Sequence, residues 1–344
     1  MAAVVSFPLA SEESAQVAGL RHVDPDAMRG LKRVRHGKGF VYLDGRGRPL
    51  HEGTTVERIR GLAIPPAWEE VWICPVPDGH IQARGRDARG RKQYRYESRW
   101  LEVRSATKFH RMLDFAEALP RIRAACARDL RHRELSRDKV LATLVRLLEV
   151  THIRVGNEEY TRANGSYGLT TLRDRHVRIH GAELLFRFRG KAGQTRQVGI
   201  CDRRLARIVN ECSELPGHGL FQYLAEDGRP HGVDSSDVNA YIRGIAGKDF
   251  TAKDFRTWAG TVLAASTLRT LAPCATTSHA RKNVVQCIKT VAAQLGNTPA
   301  VCKRSYVHPA VLDSYLRGHL AGKRARDDES FVRALLARES RVAS

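Results

Sequence analysis

The sequence predicts an α+β chain: a small antiparallel β-sheet domain first, then a mainly α-helical domain with a three-stranded β patch set into it. Three observations predict it. Strand-like runs with Asp-Gly turns crowd the chain before residue 105. Apolar residues at helical spacing dominate after it. The length of 344 residues, 42% hydrophobic and 28% charged, suffices for two globular domains.

In chain order, residues 1–30 read as a polar, weakly ordered lead-in to an N-terminal domain that ends near 105. Strand signals begin at about Lys32. GFVYLDGRGRPL (39–50) is a β-rich run leading into an Asp-Gly turn, and VWICPVPDGHIQARG (71–85) repeats the design around Asp78-Gly79. QYRY (93–96) is one more short strand. The second domain spans 106–344. Ser136 is placed to cap a helix carrying Val140, Leu141, Leu144, Val145, Leu147 and Leu148. Within 167–200, HVRI, ELLFRFRG and TRQVGI alternate as three antiparallel strands, with the turn GKAG between the second and third. Helical patterns resume at 202–213, 234–246, 253–272, 280–296 and 308–320. Residues 322–344 form a charged tail with a last helix, SFVRALLARES.

The formal net charge is +21. Self-repulsion on that scale opposes folding and points to a polyanionic partner, with nucleic acid ahead of an anionic membrane. The chain has no apolar run of transmembrane length and no basic amphipathic tail, which argues against a membrane. The start, MAAVVSFPLASEESAQ, lacks the basic region of a signal peptide. Seven cysteines without a C-x-x-C pair suit reduced thiols. A cytoplasmic, nucleoid-associated protein is the expectation.

Six positions together meet one chemical demand. Arg154 lies in THIRVGNEEY, Lys191 in RGKAG, and Lys253 and Arg256 in TAKDFRTW, where one helical turn would give the last two a shared face. Asn297 and Tyr306 lie in LGNTPAVCKRSYVHP. Displacement at a phosphodiester builds negative charge on the phosphate oxygens. Guanidinium groups grip such oxygens bidentately and stay charged. An amide adds a neutral donor. Lysine can protonate a leaving oxygen, because its pKa is tunable. Surrounding cations favour a tyrosine phenolate, which is then a credible covalent nucleophile. Taken singly, each has a plainer reading: Arg154 pairing with Glu158 or Glu159, Lys191 solvated in its turn, KDFR a salt-bridged helix face, Tyr306 a surface tyrosine.

The ordered blocks RVGNEEY, YGLTTL, FRGKAGQ, KDFRTW and LGNTPAVCKRSYVHP resemble those of the type IB DNA topoisomerases, in their small bacterial and poxvirus-like branch. IPPAWEEVWICP and GHIQARGRDARGRKQYRYESRW resemble the N-terminal domain of that family, so the likeness covers about residues 30–320. The resemblance implies a catalytic fold shared with the tyrosine recombinases. It implies that Tyr306 attacks the scissile phosphate to give a 3′-phosphotyrosyl link. Arg154 and Arg256 would clamp the phosphate oxygens. Lys191 would protonate the 5′ oxygen, with Lys253 in a relay. Asn297 stands where other branches carry histidine, which leaves the acid role to lysine. The implied reaction relaxes positive and negative supercoils by single-strand cleavage, rotation and religation. It needs neither ATP nor an obligatory metal, and the chain has no G-x-x-x-x-G-K-[ST] loop, HExxH or EF-hand pattern. No cofactor is expected.

Residues 80–100 interleave Arg84, Arg86, Arg89, Arg91, Lys92, Arg95 and Arg99 with Gln93, Tyr94 and Tyr96. Arginines suit phosphates and guanines, Gln pairs with adenine, and tyrosines pack on sugars and base edges. The resemblance implies that Gln93, Tyr94 and Tyr96 contact the DNA groove opposite the catalytic domain, with Arg84, Arg91 and Lys92 beside them. A monomer would then close as a clamp on double-stranded DNA. Two alternatives remain at this point. A tyrosine recombinase or integrase shares the nucleophile and the arginines, but typically carries His-x-x-Arg where this chain has Lys253-x-x-Arg256. A non-catalytic basic DNA-binding protein would satisfy the charge alone.

Overall fold

A computed structural model describes residues 11–342 except 38, 52, 89, 321 and 323–325. Arg89, residues 1–10 and the first three residues of the KRARDDE linker therefore lie outside the described residues. The chain divides into two compact units, Met1–His110 and Arg111–Ser344.

The first unit holds α1 (Ser11–Val17), β1 (Leu31–His36), β2 (Gly39–Leu43), α2 (Thr54–Gly61), β3 (Glu69–Ile73), β4 (Ile81–Arg86) and β5 (Lys92–Tyr96). Its five strands pair antiparallel in the order β2-β1-β3-β4-β5. Alternation along β3 sends Val71 and Ile73 to one face and Trp72 to the other. The first face packs with Leu31, Ile59 of α2 and Ala83. On the second, Trp72, Cys74 and Ile81 pack with Val23.

That second cluster corrects the reading of the lead-in. Residues 11–30 are not weakly ordered. They include a helix, and Leu20 and Val23 are buried. The Val23 amide donates to His80 Nδ1 at 3.1 Å, and the Trp72 indole donates to the Met28 carbonyl at 3.0 Å. Both sheet faces carry apolar side chains, so a second cover is required, and this segment supplies it.

A long helix, α3 (Ser98–Asp129), contains both the boundary expected near 105 and the observed division of the units. It runs through Pro120, whose ring removes one amide from the helical ladder.

The second unit is built around α4 (Arg137–Thr151). Ser136 caps it as expected, and Val140, Leu141, Leu144, Val145, Leu147 and Leu148 are all buried. Around it lie α5 (Glu158–Asn164), β6 (Val177–His180), β7 (Glu183–Arg189), β8 (Thr195–Cys201), α6 (Arg203–Ser213), β9 (Gln222–Leu224), β10 (Pro230–Gly232), α7 (Ser235–Ala246), α8 (Ala252–Arg269), α9 (Thr277–Leu295), α10 (Pro299–Ser305), α11 (Pro309–Leu316) and α12 (Asp328–Val342). The strands β6-β7-β8 form the expected three-stranded antiparallel patch. The chain is thus mixed α/β, with an antiparallel N-terminal sheet and a helical body.

The last helix of the tail is docked. Glu329, at the start of α12, receives both Arg123 Nη atoms at 2.7–2.8 Å and the Trp258 indole at 3.1 Å. Val332 and Leu336 are buried below it. Burial raises the Glu329 pKa, but the Arg123 bonds outweigh it and hold the carboxyl below its ordinary value.

Candidate active site

The C-terminal end of α9 organises the site. A helix leaves its last carbonyls without partners in its own ladder. Here three arginines take them in sequence. Arg196 donates to Ala293 at 3.1 Å and Gln294 at 2.8 Å. Arg256 Nη2 donates to Leu295 at 2.7 Å, and Arg154 Nη2 to the Gly296 carbonyl at 3.0 Å. The helix dipole adds to the attraction, since its negative end faces all three cations. Gly296 turns the chain at φ 62°, a left-handed geometry suited to glycine, and Asn297 follows directly.

Each arginine is delivered by a different element. The αL residue His152 closes α4, and Arg154 lies two residues on. Arg154 does not pair with Glu158 or Glu159; it donates to the Asn297 side-chain oxygen. Arg256 lies on α8, only 3% exposed. Its Nη1 donates to the His152 carbonyl, so it ties α8, α4 and α9 together. Burial first, then the neighbouring Arg154 cation, pull its pKa to about 10, against the opposing pull of the Tyr306 phenol. Burial also lowers the pKa of Arg154. Among the described residues none of the three arginines pairs with a carboxylate. Arg256 Nε and Asn297 Nδ2 are buried donors without an acceptor. A cation cluster with spare donors and no internal anion has the polarity of an anion site.

Tyr306 closes α10, and its ring lies under the Arg256 guanidinium, 5.2 Å from carbon to centroid. Its backbone is fixed by α8. The Tyr306 carbonyl accepts from Thr261 Oγ1 at 3.3 Å, and the His308 amide donates to the same hydroxyl at 3.0 Å. Gly260 lets the two segments meet: a Cβ there would come within 2.5 Å of the Tyr306 carbonyl oxygen. The structure therefore brings Arg154, Arg256, Asn297 and Tyr306 together.

The lysines are placed differently. Lys191 is exposed in the turn Lys191–Gly193 between β7 and β8, where Ala192 and Gly193 both take positive φ. Lys253 is exposed in the first turn of α8. It lies one turn before Arg256 on the same helix, as expected, but Arg256 is buried where Lys253 is solvated. No hydrogen bond or ion pair among the described residues joins either ammonium to the other four groups.

Sequence reasoning missed Arg196 and Gly260. Arg196 lay among many basic residues, and only the fold shows its partners. Gly260 has no chemistry to notice; the signal is a glycine inside a helix, unfavourable by about 1 kcal/mol against alanine unless packing demands it.

In the first unit the expected DNA contacts are largely engaged with carboxylates. Arg84 pairs with Asp26, and Lys92 lies 3.9 Å from the same carboxyl group. Asp87 accepts from Arg91 at 2.8 Å and from Gln93 at 2.9 Å. Outside the named set, Arg86 pairs with Glu70 and Arg99 with Glu97. Alternation along β5 puts Lys92, Tyr94 and Tyr96 on one face and Gln93 on the other. Tyr94 is 37% exposed and stacks on Tyr96, which stacks on Trp100 at 4.4 Å.

Among the described residues no group of three or more His, Cys, Asp or Glu side chains could hold a metal ion, and no helix is long and apolar enough to cross a membrane.

Residues 97–327 match the family model of the eukaryotic DNA topoisomerase I catalytic core, and residues 39–87 match that of the bacterial DNA topoisomerase IB N-terminal domain. The DNA topoisomerase 1B of Acanthamoeba polyphaga mimivirus is 34% identical over 295 residues, covering 84% of this chain and 88% of that protein. The DNA topoisomerase 1B of Vaccinia virus (strain Copenhagen) is 22% identical over 239 residues, covering 67% of this chain and 70% of that one.

Proposed function

The chain belongs to the type IB DNA topoisomerases, and on that premise we propose that it relaxes positive and negative supercoils through a covalent bond between Tyr306 and the 3′ phosphate of a nicked strand. It is an enzyme acting on DNA; the residue roles below are our reading. The observation that carries them is the three-arginine cluster at the end of α9, with two unpartnered buried donors and Tyr306 beneath Arg256.

The phenolic oxygen of Tyr306 attacks phosphorus and gives its proton to solvent. The bond from phosphorus to the 5′ oxygen breaks, and that oxygen takes a proton from Lys191, with Lys253 in the relay. Arg154 and Arg256 neutralise the charge that builds on the non-bridging oxygens, and Asn297 donates through Nδ2. Carbonyl anchoring supports this role, because dipoles fixed in advance need not reorganise during the reaction. The ester conserves the energy of the cut bond, so rotation and religation need no ATP and no obligatory metal.

The further roles follow the same reading. The second unit shares its fold with the tyrosine recombinases. Gln93, Tyr94, Tyr96, Arg84, Arg91 and Lys92 contact double-stranded DNA, and the protein works as a monomer clamping the duplex. It acts in the cytoplasm on the nucleoid, not at a membrane.

A nicked duplex that traps the cleaved state tests the covalent step. Peptide mapping of the adduct is expected to place the DNA on Tyr306, with a free 5′ hydroxyl on the released strand. An adduct on another residue, or a 5′ linkage, would overturn the assignment.

A further inference from the structure

Arg196 touches two of the reactive segments at once. It sits half-buried on β8, facing Phe188 across the β7–β8 ladder, and the Lys191 turn joins those two strands. Its stem covers Gly190: a Cβ there would meet Arg196 Cγ at 3.0 Å. Its head lies against Gly296, where a Cβ would meet Nη1 at 2.6 Å. Thus one side chain contacts the residue before Lys191 and the residue before Asn297. Its two hydrogen bonds to Ala293 and Gln294 fix the guanidinium plane.

The turn needs such a brace. Two backbone bonds close it, Gly190 N to Gln194 O at 2.8 Å and Gly193 N to Gly190 O at 3.1 Å. Lys191 itself is exposed, with no side-chain hydrogen bond among the described residues. A flexible ammonium on a short turn has many positions, and general acid catalysis requires one.

We propose that Arg196 is a positioning residue for strand cleavage: it braces the β7–β8 turn against the end of α9 and thereby places the Lys191 ammonium at the leaving 5′ oxygen. This rests on the reading of Lys191 as the general acid. Arg196 itself transfers no proton. Lysine at this position would reach one of the two carbonyls and leave the other unmet, so Arg196→Lys retains part of the function.

The test is single-turnover cleavage of a duplex oligonucleotide carrying a mapped cleavage site. The scissile 5′ position holds either oxygen or a bridging sulfur. Sulfur leaves as a thiolate and needs no proton. Arg196→Ala is expected to slow cleavage of the oxygen substrate on the order of 10²-fold, the effect of a small misplacement. Arg196→Lys falls between it and the unmodified enzyme. The sulfur substrate restores most of the rate in both, as it does in Lys191→Ala, and the double variant is no slower than Lys191→Ala alone. An unchanged rate in Arg196→Ala overturns the proposal. So does equal slowing on both substrates while Lys191→Ala is rescued; Arg196 would then act through the arginine clamp. If Lys191→Ala is not rescued by sulfur, the general-acid reading itself fails, and the proposal with it.

Discussion

Arg154 and Arg256 hang from adjacent carbonyls, Arg154 from Gly296 at 3.0 Å and Arg256 from Leu295 at 2.7 Å. Two cations that would otherwise repel each other are held side by side by the end of one helix. The arrangement is ready for an anion and, among the described residues, has none of its own.

The two arginines should separate in their effects on stability. Arg154→Ala and Arg256→Ala are both expected to slow cleavage by about 10²–10³-fold, as for losing one oxyanion donor. Arg256→Ala should in addition lower the melting temperature, because the carbonyls of His152 and Leu295 lose their donor. Each buried unmet group costs about 1–3 kcal/mol. Arg154→Ala should melt closer to the unmodified protein. Equal melting of the two variants would contradict the bridging role of Arg256.

Gly260→Ala should disturb Tyr306 through its backbone. The added methyl would meet the Tyr306 carbonyl oxygen at 2.5 Å and the Tyr306 Cβ at 3.1 Å. Overpacking of this kind costs about 1–3 kcal/mol. Cleavage should fall while DNA affinity holds, as measured by adduct formation beside a binding titration. Normal cleavage would mean that α8 and the tyrosine segment part without consequence.

Asp26 pairs with Arg84 and lies 3.9 Å from Lys92, two cations that we propose meet DNA. Asp26→Asn should tighten DNA binding and steepen its salt dependence, by up to about 0.9 in the log–log slope for each phosphate gained. The gain in affinity should be modest, because Asp26 is exposed and exposed ion pairs are weak. An unchanged slope would show that this face of the sheet does not meet DNA.

Acid should destabilise the protein before carboxylates titrate. Burial lowers the pKa values of His80, His152 and His176 below the ordinary 6.5. The unfolded chain then binds protons more readily than the folded one. The stability these histidines contribute is full above pH 6.5 and declines as pH falls below it. Thermal melts between pH 7.5 and 5.5 should show the loss, and His152→Gln should flatten it. A flat profile in the unmodified protein would contradict the buried neutral state.

Local pattern and fold agreed where the signal was local. The α4 face from Val140 to Leu148, the Ser136 cap and the β6–β8 alternation could be read from spacing alone. Arg154, Arg256, Asn297 and Tyr306, which the fold brings together, stood out in the sequence because their residue types share one chemistry. What escaped depended on distant partners. The lead-in reads as weakly ordered until Trp72 and Cys74 give Val23 something to cover. The cations of residues 84–92 looked available until Asp26 and Asp87 were placed beside them. Arg196 resembled any other arginine on a basic chain; its meaning lies in the carbonyls of α9, almost a hundred residues away.

Plasmid relaxation without ATP and in EDTA, with Tyr306→Phe beside the unmodified enzyme, tests the central claim most directly. The unmodified enzyme should relax both supercoil signs and leave a 3′-linked protein adduct on denaturing gels. Tyr306→Phe should bind DNA with nearly the same affinity and do neither. Relaxation by Tyr306→Phe would contradict the account, because no other residue is assigned to carry the phosphate.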